Sequence, residues 1–336
     1  MPCGSPSPSP HEISTGEFLI MNTFSVFLRH GAAILAVCAC FLMSCSQQKS
    51  VIFDTDWWTD VDDALAVRIL SSLQDEGVLK LKGICLSAVD STSVETISGF
   101  MYYEGIADVP LGVDKLACDF PGHPVYRQAI LNDARTKAGQ KSIDDCPDCV
   151  EFYRDILSKN RGKVDIIAVG FPNSLSRLLD SDYDLVKRKV NHLWMMAGKY
   201  PEGTEHNFCL SPRSREAGAE ICERWPTEIT FLGFEVGIQV KAGGCLPPDD
   251  LLRNILDAHG SVKGRYAWDP MTVLLAASPS PDVAGYDVVR GRVSVNPEDG
   301  SNTFEASPDG PHAYVVMKES PEYYTSCLDS LLLKRK

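Results

Sequence analysis

The sequence is short of positive charge. Its 336 residues carry 32 Lys and Arg against 45 Asp and Glu, a formal net charge of −13. Proteins that bind nucleic acid neutralise phosphates with Lys and Arg, so this balance disfavours a nucleic-acid partner. The sequence also lacks an internal repeat, and beyond residue 45 it lacks a linker long enough to divide it. We therefore expect residues 45–336 to form a single domain.

The apolar run near the N-terminus, Ala32–Met43, is too short to cross a bilayer. It suits the apolar region of a secretory signal, and it leads into Ser44-Cys45. A small residue before Cys at this place resembles a bacterial lipoprotein box. We therefore expect residues 1–44 to be a leader and Cys45 to carry a lipid, which would anchor an exported protein in the bacterial cell envelope. An ordinary signal peptide with an incidental Cys is the alternative.

The cysteines do not form a zinc motif, because no second Cys or His pair has matching spacing. In an oxidising envelope some of the cysteines beyond Cys45 can pair, and Cys146 and Cys149 are the closest in sequence. We interpret the Cys146-Pro147-Asp148-Cys149 segment as structural, with a redox role as the alternative.

Short apolar runs alternate with helical patterns in the body of the chain. The predicted strands are Val51–Phe53, Leu81–Leu86, Val109–Val113, Val164–Val169, Leu193–Ala197 and Ile229–Leu232. The predicted helices are Asp63–Leu73, Val94–Tyr103, Pro147–Leu157 and one opened by Ser174, whose hydroxyl we expect to cap it. This alternation predicts an α/β fold with an open, mostly parallel sheet and helices on both faces. Near the end, Arg292–Val295 and Thr303–Ala306 predict an added β-hairpin.

Five aspartates crowd into ten residues directly after the first predicted strand; they are Asp54, Asp56, Asp60, Asp62 and Asp63. So many like charges repel one another unless a cation lies among them. The apolar strand before them and the apolar-faced helix after them would hold the carboxylates at the carboxyl edge of a buried sheet, where α/β proteins bind ligands. We therefore predict a metal site here; a solvated charge cluster is the plainer alternative.

Two other interpretations of the cluster are weaker. An EF-hand loop needs Asp or Asn at position 58 and Gly at 59, where this chain has Trp58 and Thr59. A phosphatase resembling the haloacid dehalogenases would use Asp54 as its nucleophile and Asp56 two residues later. Its motif continues with Thr or Val at the place that Trp58 occupies, so this reading is kept only as an alternative.

A third interpretation fits better. Asp54-Thr55-Asp56 followed by Asp62-Asp63-Ala64-Leu65-Ala66 resembles the N-terminal signature of the inosine–uridine-preferring nucleoside hydrolase family. Further segments resemble the family in the same chain order: Val169–Leu175, Met195–Gly198 with Glu205–Phe208, and Trp268-Asp269-Pro270. Trp57-Trp58 departs from the small residues usual in the family. The resemblance covers roughly residues 51–280 and implies an N-ribohydrolase with a nucleoside hydrolase-like fold.

The resemblance also implies a role for each matching residue. Ca²⁺ would be held by Asp56, Asp63, the main-chain carbonyl of Asn173, and Asp269. Asp56 would in addition take the proton of the attacking water. Apart from the resemblance, the plainer reading of Asp54 is a structural acid behind the ligands, and that of Asp60 is a solvated acid. The residues that would hold the ribose are Asp62, Met196, Glu205 and Asn207.

The leaving base is where the sequence departs from the nonspecific members of the family. They have a His before the last Asp as the general acid, and this chain has Trp268 there. Purine-preferring members of the family also have Trp at this position. Asp90 falls near the Asp with which those members contact the base. We therefore expect a purine-leaning hydrolase in which Trp268 stacks on the base and Trp58 offers a second aromatic face. His206 is a candidate replacement for the general acid. The plainer alternatives are that Trp268 is a core residue and that Asp90 is a surface acid.

Two functions remain open at this point. The first is calcium-dependent hydrolysis of a small ribosyl substrate, with ribonucleosides as the expected class. The second is a lipid-anchored protein that binds a nucleoside or ribosyl compound but has lost turnover, motivated by the missing acid at position 268. Self-association into a homo-oligomer is left open.

Overall fold

The structure is a computed structural model that describes residues 48–58, 60–118 and 124–334. The predicted leader, residues 1–44, and the predicted lipidation site Cys45 lie outside the described residues. None of the helices in the described part of the chain is long and apolar enough to span a bilayer.

The strands are short and fall along most of the described chain. They are β1 (Lys49–Thr55), β2 (Leu79–Leu86), β3 (Leu111–Val113), β4 (Val164–Ala168), β5 (Val190–Met196), β6 (Glu202–Thr204), β7 (Glu228–Leu232), β8 (Lys241–Ala242), β9 (Arg265–Tyr266), β10 (Tyr286–Val295), β11 (Ser301–Ala306) and β12 (His312–Met317).

Helices connect most of these strands. They are α1 (Asp62–Asp75), α2 (Ser93–Tyr103), α3 (Arg127–Asn132), α4 (Cys149–Lys159), α5 (Asn173–Ser181), α6 (Tyr183–Lys189), α7 (His206–Cys209), α8 (Pro212–Arg224), α9 (Phe234–Gly237), α10 (Leu251–Ala258), α11 (Trp268–Ala277) and α12 (Pro321–Leu332), with 3₁₀ turns at Lys137–Gly139 and Ile143–Asp145.

One large sheet organises the domain, with the strand order β3-β2-β1-β4-β5-β7-β12-β10-β11-β6. Neighbouring strands from β3 to β12 in this order run parallel. The remaining pairs, β12–β10, β10–β11 and β11–β6, are antiparallel. The predicted α/β class with an open, mostly parallel sheet is therefore confirmed.

Strand β1 shows how both faces of the sheet are covered. Successive side chains of a strand point to opposite faces. Asp54 accepts a hydrogen bond from Tyr153 of α4 on one face, whereas Thr55 donates one to Asp63 of α1 on the other. Val51, Ile52 and Phe53 are fully buried between these layers, as expected for a parallel strand covered on both sides.

The predicted C-terminal hairpin is confirmed by β10 and β11, which pair from Gly291–Ala306 to Val295–Asn302. Strand β12 was not predicted. It pairs parallel to β7 and antiparallel to β10, so it joins the hairpin to the main sheet. Its neighbour β7 lies about eighty residues earlier, a long-range pairing that no local pattern reveals.

Two local features differ from or add to the sequence analysis. Ser174 does not cap α5, because the helix already begins at Asn173; its hydroxyl donates to Asp54 Oδ2 instead, at 2.6 Å. The eight cysteines beyond Cys45 are all free thiols, so Cys146 and Cys149 form no disulfide.

Candidate active site

The predicted site residues converge on a pocket at the carboxyl edge of the sheet. Asp56 follows β1, Val169 follows β4, and Met196 ends β5. The residues that line the pocket are Asp56, Asp60, Asp62, Asp63, Val169, Met196, Glu205, His206, Asn207, Phe234, Trp268 and Asp269. Parallel strands bring their carboxyl ends to a common edge, which is why segments far apart in sequence meet here.

Three carboxylates form the centre of the pocket. Asp62, Asp63 and Asp269 each place an oxygen so that these atoms lie within 4.8 Å of one another. Asp62 and Asp63 begin α1 and Asp269 lies in the first turn of α11, where the positive helix end favours an anion. The main-chain N–H of Asp269 also donates to Asp62 Oδ2 at 3.2 Å. The structure thus groups Asp62, predicted as a ribose ligand, with the predicted metal ligands.

The electrostatics of this group favour a bound cation. Burial first, and then the neighbouring carboxylates, raise the pKa values of Asp56, Asp62 and Asp269 well above their usual range. Burial raises the pKa of Asp63 to about 6, against the hydrogen bond from Thr55. A divalent ion would relieve this repulsion and hold all four acids ionised. Hard carboxylate oxygens are the donors that Ca²⁺ and Mg²⁺ prefer, so the residues present fit such an ion.

Glu205, Asn207 and Met196 also line the pocket. Glu205 accepts main-chain N–H groups of Gly198 and Asn207, both at 3.0 Å. Burial raises its pKa to about 7. The side-chain amide of Asn207 donates to the carbonyls of Val169 and Met196, both at 2.9 Å. Because both amide protons are used, Asn207 can meet a ligand only through its carbonyl oxygen, an acceptor for a hydroxyl.

Trp268 forms an aromatic side of the pocket together with Phe234. Their ring centroids lie 5.5 Å apart at 29°, and Trp268 Nε1 donates to the Phe234 carbonyl at 2.9 Å. Phe234 was not predicted as a site residue. The guanidinium of Arg265 lies 5.6 Å from the Trp268 ring and pairs with Asp60, at 2.5 Å. Asp60 is therefore a pocket residue with a fixed partner rather than a solvated acid.

Trp58 is not the second aromatic face that the sequence suggested. It is only 6% exposed and is absent from the pocket lining. Its ring stacks on His206, with centroids 6.2 Å apart at 22°, and also contacts Phe171. Trp58 therefore supports His206, which itself lines the pocket. Burial lowers the pKa of His206, so its imidazole is neutral near pH 7.

Two further predicted residues lie away from the pocket lining. Asp90 forms a buried ion pair with Arg127 instead of facing the acidic pocket, which argues against contact with a base. The amide of Asn173 donates to the Ser87 carbonyl at 2.8 Å and to Asp114 at 3.1 Å. The side chain of Asn173 therefore points elsewhere, and its main-chain carbonyl as a metal ligand stays a prediction.

Asp54 lies behind the pocket with no exposed surface. Its Oδ2 accepts hydrogen bonds from Tyr153 and Ser174, both at 2.6 Å, and burial raises its pKa to about 7. A carboxylate enclosed in this way cannot attack a phosphate ester. The alternative of a phosphatase with Asp54 as nucleophile therefore does not fit the structure.

A second group of potential ligands, Asp114, Asp148 and Cys149, lies outside the pocket. Arg177 already occupies its centre. The guanidinium pairs with Asp114, with Asp148 at 2.9 Å, and with the Cys149 sulfur at 3.1 Å. We interpret this group as a structural ion cluster.

The loop between β1 and α1 is held in place by α3 and the residue before it. Trp57 stands at a position where the resembled family usually has a small residue, and its φ is 47°. Its indole N–H donates to the Thr96 hydroxyl at 3.0 Å. Arg127 donates to the Trp57 carbonyl, and the Tyr126 hydroxyl donates to the Trp58 carbonyl at 3.0 Å. These contacts compensate for the unusual backbone of Trp57 and fix the position of Asp56.

Arg127→Ala is therefore expected to destabilise the protein. Arg127 is 1% exposed, and its loss would remove the cation that pairs with the Asp90 carboxylate and the guanidinium that donates to the Trp57 carbonyl. Breaking a buried ion pair from one side costs about 3–5 kcal/mol. Urea denaturation would measure the loss. Arg154→Ala is the matched control, because Arg154 is 55% exposed and should cost less than about 1 kcal/mol. Equal effects of the two substitutions would contradict this account of the loop.

Comparison with known structures shows the fold. The chain is similar to the type III effector protein XopQ in complex with adenosine diphosphate ribose (TM-score 0.66, 17% identity, 89% of this chain and 97% of that one). It is similar to the inosine–uridine-preferring nucleoside hydrolase from Bacillus anthracis (TM-score 0.64, 16% identity, 85% and 99%). It is also similar to the purine-preferring ribonucleoside hydrolase from Gardnerella vaginalis (TM-score 0.62, 17% identity, 84% and 99%).

The chain has the nucleoside hydrolase fold. No protein-family model and no curated protein sequence matches it. The match to the nucleoside hydrolase fold extends over nearly the whole length of each structure named above, so no large part of that fold is missing here.

Proposed function

We propose that this chain hydrolyses the N-glycosidic bond of ribonucleosides, releasing ribose and the base. The observation that carries the proposal is the buried group of Asp62, Asp63 and Asp269 at the carboxyl edge of a nucleoside hydrolase fold. Cleavage of a glycosidic bond develops positive charge on the sugar. Fixed carboxylates stabilise that charge most in the transition state, which is the stabilisation that accelerates a reaction.

The proposal includes a divalent cation, and we propose Ca²⁺. Ca²⁺ takes six to eight hard oxygen ligands at about 2.3–2.6 Å. Asp56, Asp63, Asp269 and the Asn173 carbonyl would hold it by resemblance, and the position of Asp62 beside Asp63 and Asp269 supports a contribution from this carboxylate as well. When bound, the cation would acidify water and orient sugar hydroxyls.

The residues of the chain would divide the remaining work. Asp56 takes a proton from the attacking water as the water oxygen bonds to the anomeric carbon and the bond between that carbon and the base nitrogen breaks. The base leaves with the electron pair of the broken bond and then takes up a proton from solvent. Asn207 accepts a hydrogen bond from a sugar hydroxyl through its free carbonyl oxygen, and Glu205 accepts a second. Burial of these groups excludes bulk water from the sugar, which strengthens each interaction.

A preference for purine nucleosides is a further part of the proposal. Trp268 and Phe234 offer a stacking surface beside the acidic group, and a bicyclic base covers more of that surface than a pyrimidine does. Asp90 is paired with Arg127, so the proposal assigns it no contact with the leaving base.

Trp268→Ala is expected to raise the KM for inosine about tenfold, since stacking of a base on an aromatic ring contributes about 1–3 kcal/mol. The inhibition constant of free ribose should change much less, because the proposal assigns the indole to the base and not to the sugar. Steady-state kinetics with inosine and uridine would measure both effects, and Trp268→Phe, which keeps a ring, should recover most of the loss. A clear preference of the unmodified protein for uridine would contradict the purine proposal.

A binding protein without turnover is the second candidate, favoured by one observation. Trp268 occupies the place of the family's general acid, and the nearby His206 has a lowered pKa because it is buried. Neither residue is a ready proton donor to a leaving base at neutral pH. Calorimetry that shows tight binding of ribose or inosine in the presence of Ca²⁺, with no product formed, would favour this candidate.

The location of the protein is also a proposal. We propose an exported lipoprotein anchored through Cys45, supported by the signal-like run before it. Labelling with a radioactive fatty acid in a bacterial host would test this, and Cys45→Ser should abolish the label. Assembly into a homo-oligomer stays open.

A further inference from the structure

A basic groove lies at the edge of the sheet opposite the acidic pocket. It is formed by the first residues of β1, β4 and β5, together with the turn between α4 and β4. The cations that line it are Lys49, Lys82, Lys159, Arg161 and Lys163. This is an unusual concentration of positive charge in a chain whose net charge is −13.

Three of these cations have no counterion among the residues that the structure describes. Within the described part of the chain, Lys82, Arg161 and Lys163 form no ion pair, and Arg161 and Lys163 are exposed. Lys159 is paired with Asp155 at 2.5 Å, and the ammonium group of Lys49 donates to main-chain carbonyls of residues 276 and 278.

The acid in the groove lining, Asp165, does not neutralise the three cations. Its carboxylate is held by hydrogen bonds from Asn191 at 2.8 Å and from Trp194 at 3.1 Å, and its charge acts on Lys49. It supplies one negative charge against the positive charges of Lys82, Arg161 and Lys163. The exposed face of the groove keeps a net positive charge that an external anion can meet.

The position of Gln48, the first described residue, indicates which kind of anion the groove can meet. Gln48 lines the groove, and the proposed lipidation site Cys45 lies three residues before it. Three extended residues span at most about 11 Å. A lipid on Cys45 would therefore bring the groove to the level of the phospholipid headgroups. Basic residues close to a membrane surface attract anionic headgroups, and a lipid chain combined with a basic patch binds more firmly than a lipid chain alone.

The opposite end of the molecule has the opposite charge. Strand β1 runs from Lys49, at the groove, to Thr55, next to the acidic pocket, and its seven residues span about 23 Å. An anionic surface would attract the groove and repel the pocket. The two effects orient the molecule in the same direction.

We propose that Lys82, Arg161 and Lys163 dock this groove on anionic phospholipid headgroups beside the lipid anchor, so that the acidic pocket faces away from the membrane. This proposal rests on the proposed lipidation of Cys45 for its location, but the attraction itself needs no lipid on the chain.

The test uses the full 336-residue chain, produced so that it is neither processed nor acylated. Sedimentation would measure its partition onto vesicles of pure phosphatidylcholine and onto vesicles that contain phosphatidylglycerol. We expect at least tenfold stronger partition onto the anionic vesicles, lost when the salt concentration rises from 0.1 to 0.5 M as screening predicts. The triple variant Lys82→Glu, Arg161→Glu, Lys163→Glu should lose this tenfold preference and retain its background partition onto phosphatidylcholine.

The matched control changes charge equally elsewhere. Lys115→Glu, Lys137→Glu and Lys263→Glu alter three exposed lysines outside the groove, and this triple variant should keep the preference. Equal losses in both triple variants, or no loss in the groove variant, would overturn the proposal. Nucleoside hydrolysis and fatty-acid labelling are measured separately, so failure of the proposed activity or of the proposed anchor can be told apart from failure of the docking surface.

Discussion

Asp63→Ala is expected to abolish ribose release from nucleosides while the protein stays folded. Asp63 is 2% exposed, belongs to the central carboxylate group and accepts a hydrogen bond from Thr55. Its removal would take away a predicted ligand of the cation and part of the charge that stabilises the sugar. We expect kcat/KM to fall by about a thousandfold or more, because removal of one fixed electrostatic contact alone costs about a hundred- to a thousandfold.

Asp56→Ala should have an equally large effect, because the same carboxylate would take the proton of the attacking water. Reducing-sugar assays would measure activity, and circular dichroism would establish that the fold is retained. Asp309→Ala is the matched control, since Asp309 is exposed and lies outside the pocket. Turnover within tenfold of the unmodified protein in either pocket variant would remove the basis of the proposed mechanism.

Addition of Ca²⁺ is expected to raise the melting temperature by about 5–10 °C. A ligand at a hundred times its Kd stabilises the folded state by about 2.7 kcal/mol. For a domain of this size each kcal/mol corresponds to roughly 2–4 °C. Asp63 is a proposed ligand of the ion, so the effect should disappear in Asp63→Ala. Thermal unfolding with Ca²⁺ and with a chelator would measure it.

The stabilisation by Ca²⁺ should be larger at pH 8 than at pH 5. Burial raises the pKa of Asp63 from an unfolded value of about 3.8 to about 6. Between these values the unfolded chain releases its proton while the metal-free fold keeps it, so the stability of the metal-free fold falls as pH rises through this window. Ca²⁺ must displace that proton at pH 5 and need not at pH 8. An equal shift at both pH values would contradict the carboxylate site.

The sequence predicted the fold class well because its signal is local. An apolar strand such as Val51–Phe53, buried on both faces, is followed by a helix with an apolar stripe, and this unit repeats along the chain. The position of Asp56 was also predictable, because residues at the carboxyl ends of parallel strands share an edge. Glu205 follows the antiparallel strand β6 and Asp269 follows β9 of the small sheet, so their convergence with Asp56 was predicted only through the resemblance.

The partners of individual side chains could not be predicted in this way. Asp90 was assigned to a base because it falls near the base-contacting Asp of the purine-preferring members, but Arg127 from a distant helix pairs with it. Trp58 was assigned to the pocket because it lies in the aspartate loop, but the neighbouring Trp57 adopts a positive φ and the loop turns Trp58 toward Phe171. Both outcomes depend on tertiary contacts between residues that lie far apart in the sequence. The local spacing of residues does not predict such contacts.

Strand β12 illustrates the same limit at the level of topology. From the sequence alone, its residues, His312–Met317, could have paired with the hairpin and with no other strand. The structure places it between β7 and β10, so that the C-terminal hairpin extends the main sheet. As a consequence Asn302 of β11 reaches Lys199, the residue after Gly198, and helps to hold the segment that carries Glu205.

The most direct test of the account measures ribose released from a panel of purine and pyrimidine nucleosides, with the protein first treated with chelator and then supplied with Ca²⁺. The account predicts release from inosine or another purine nucleoside, its loss in chelator and its return with Ca²⁺. Release that persists undiminished in chelator, or no ribose from any nucleoside when Ca²⁺ is saturating, would contradict it.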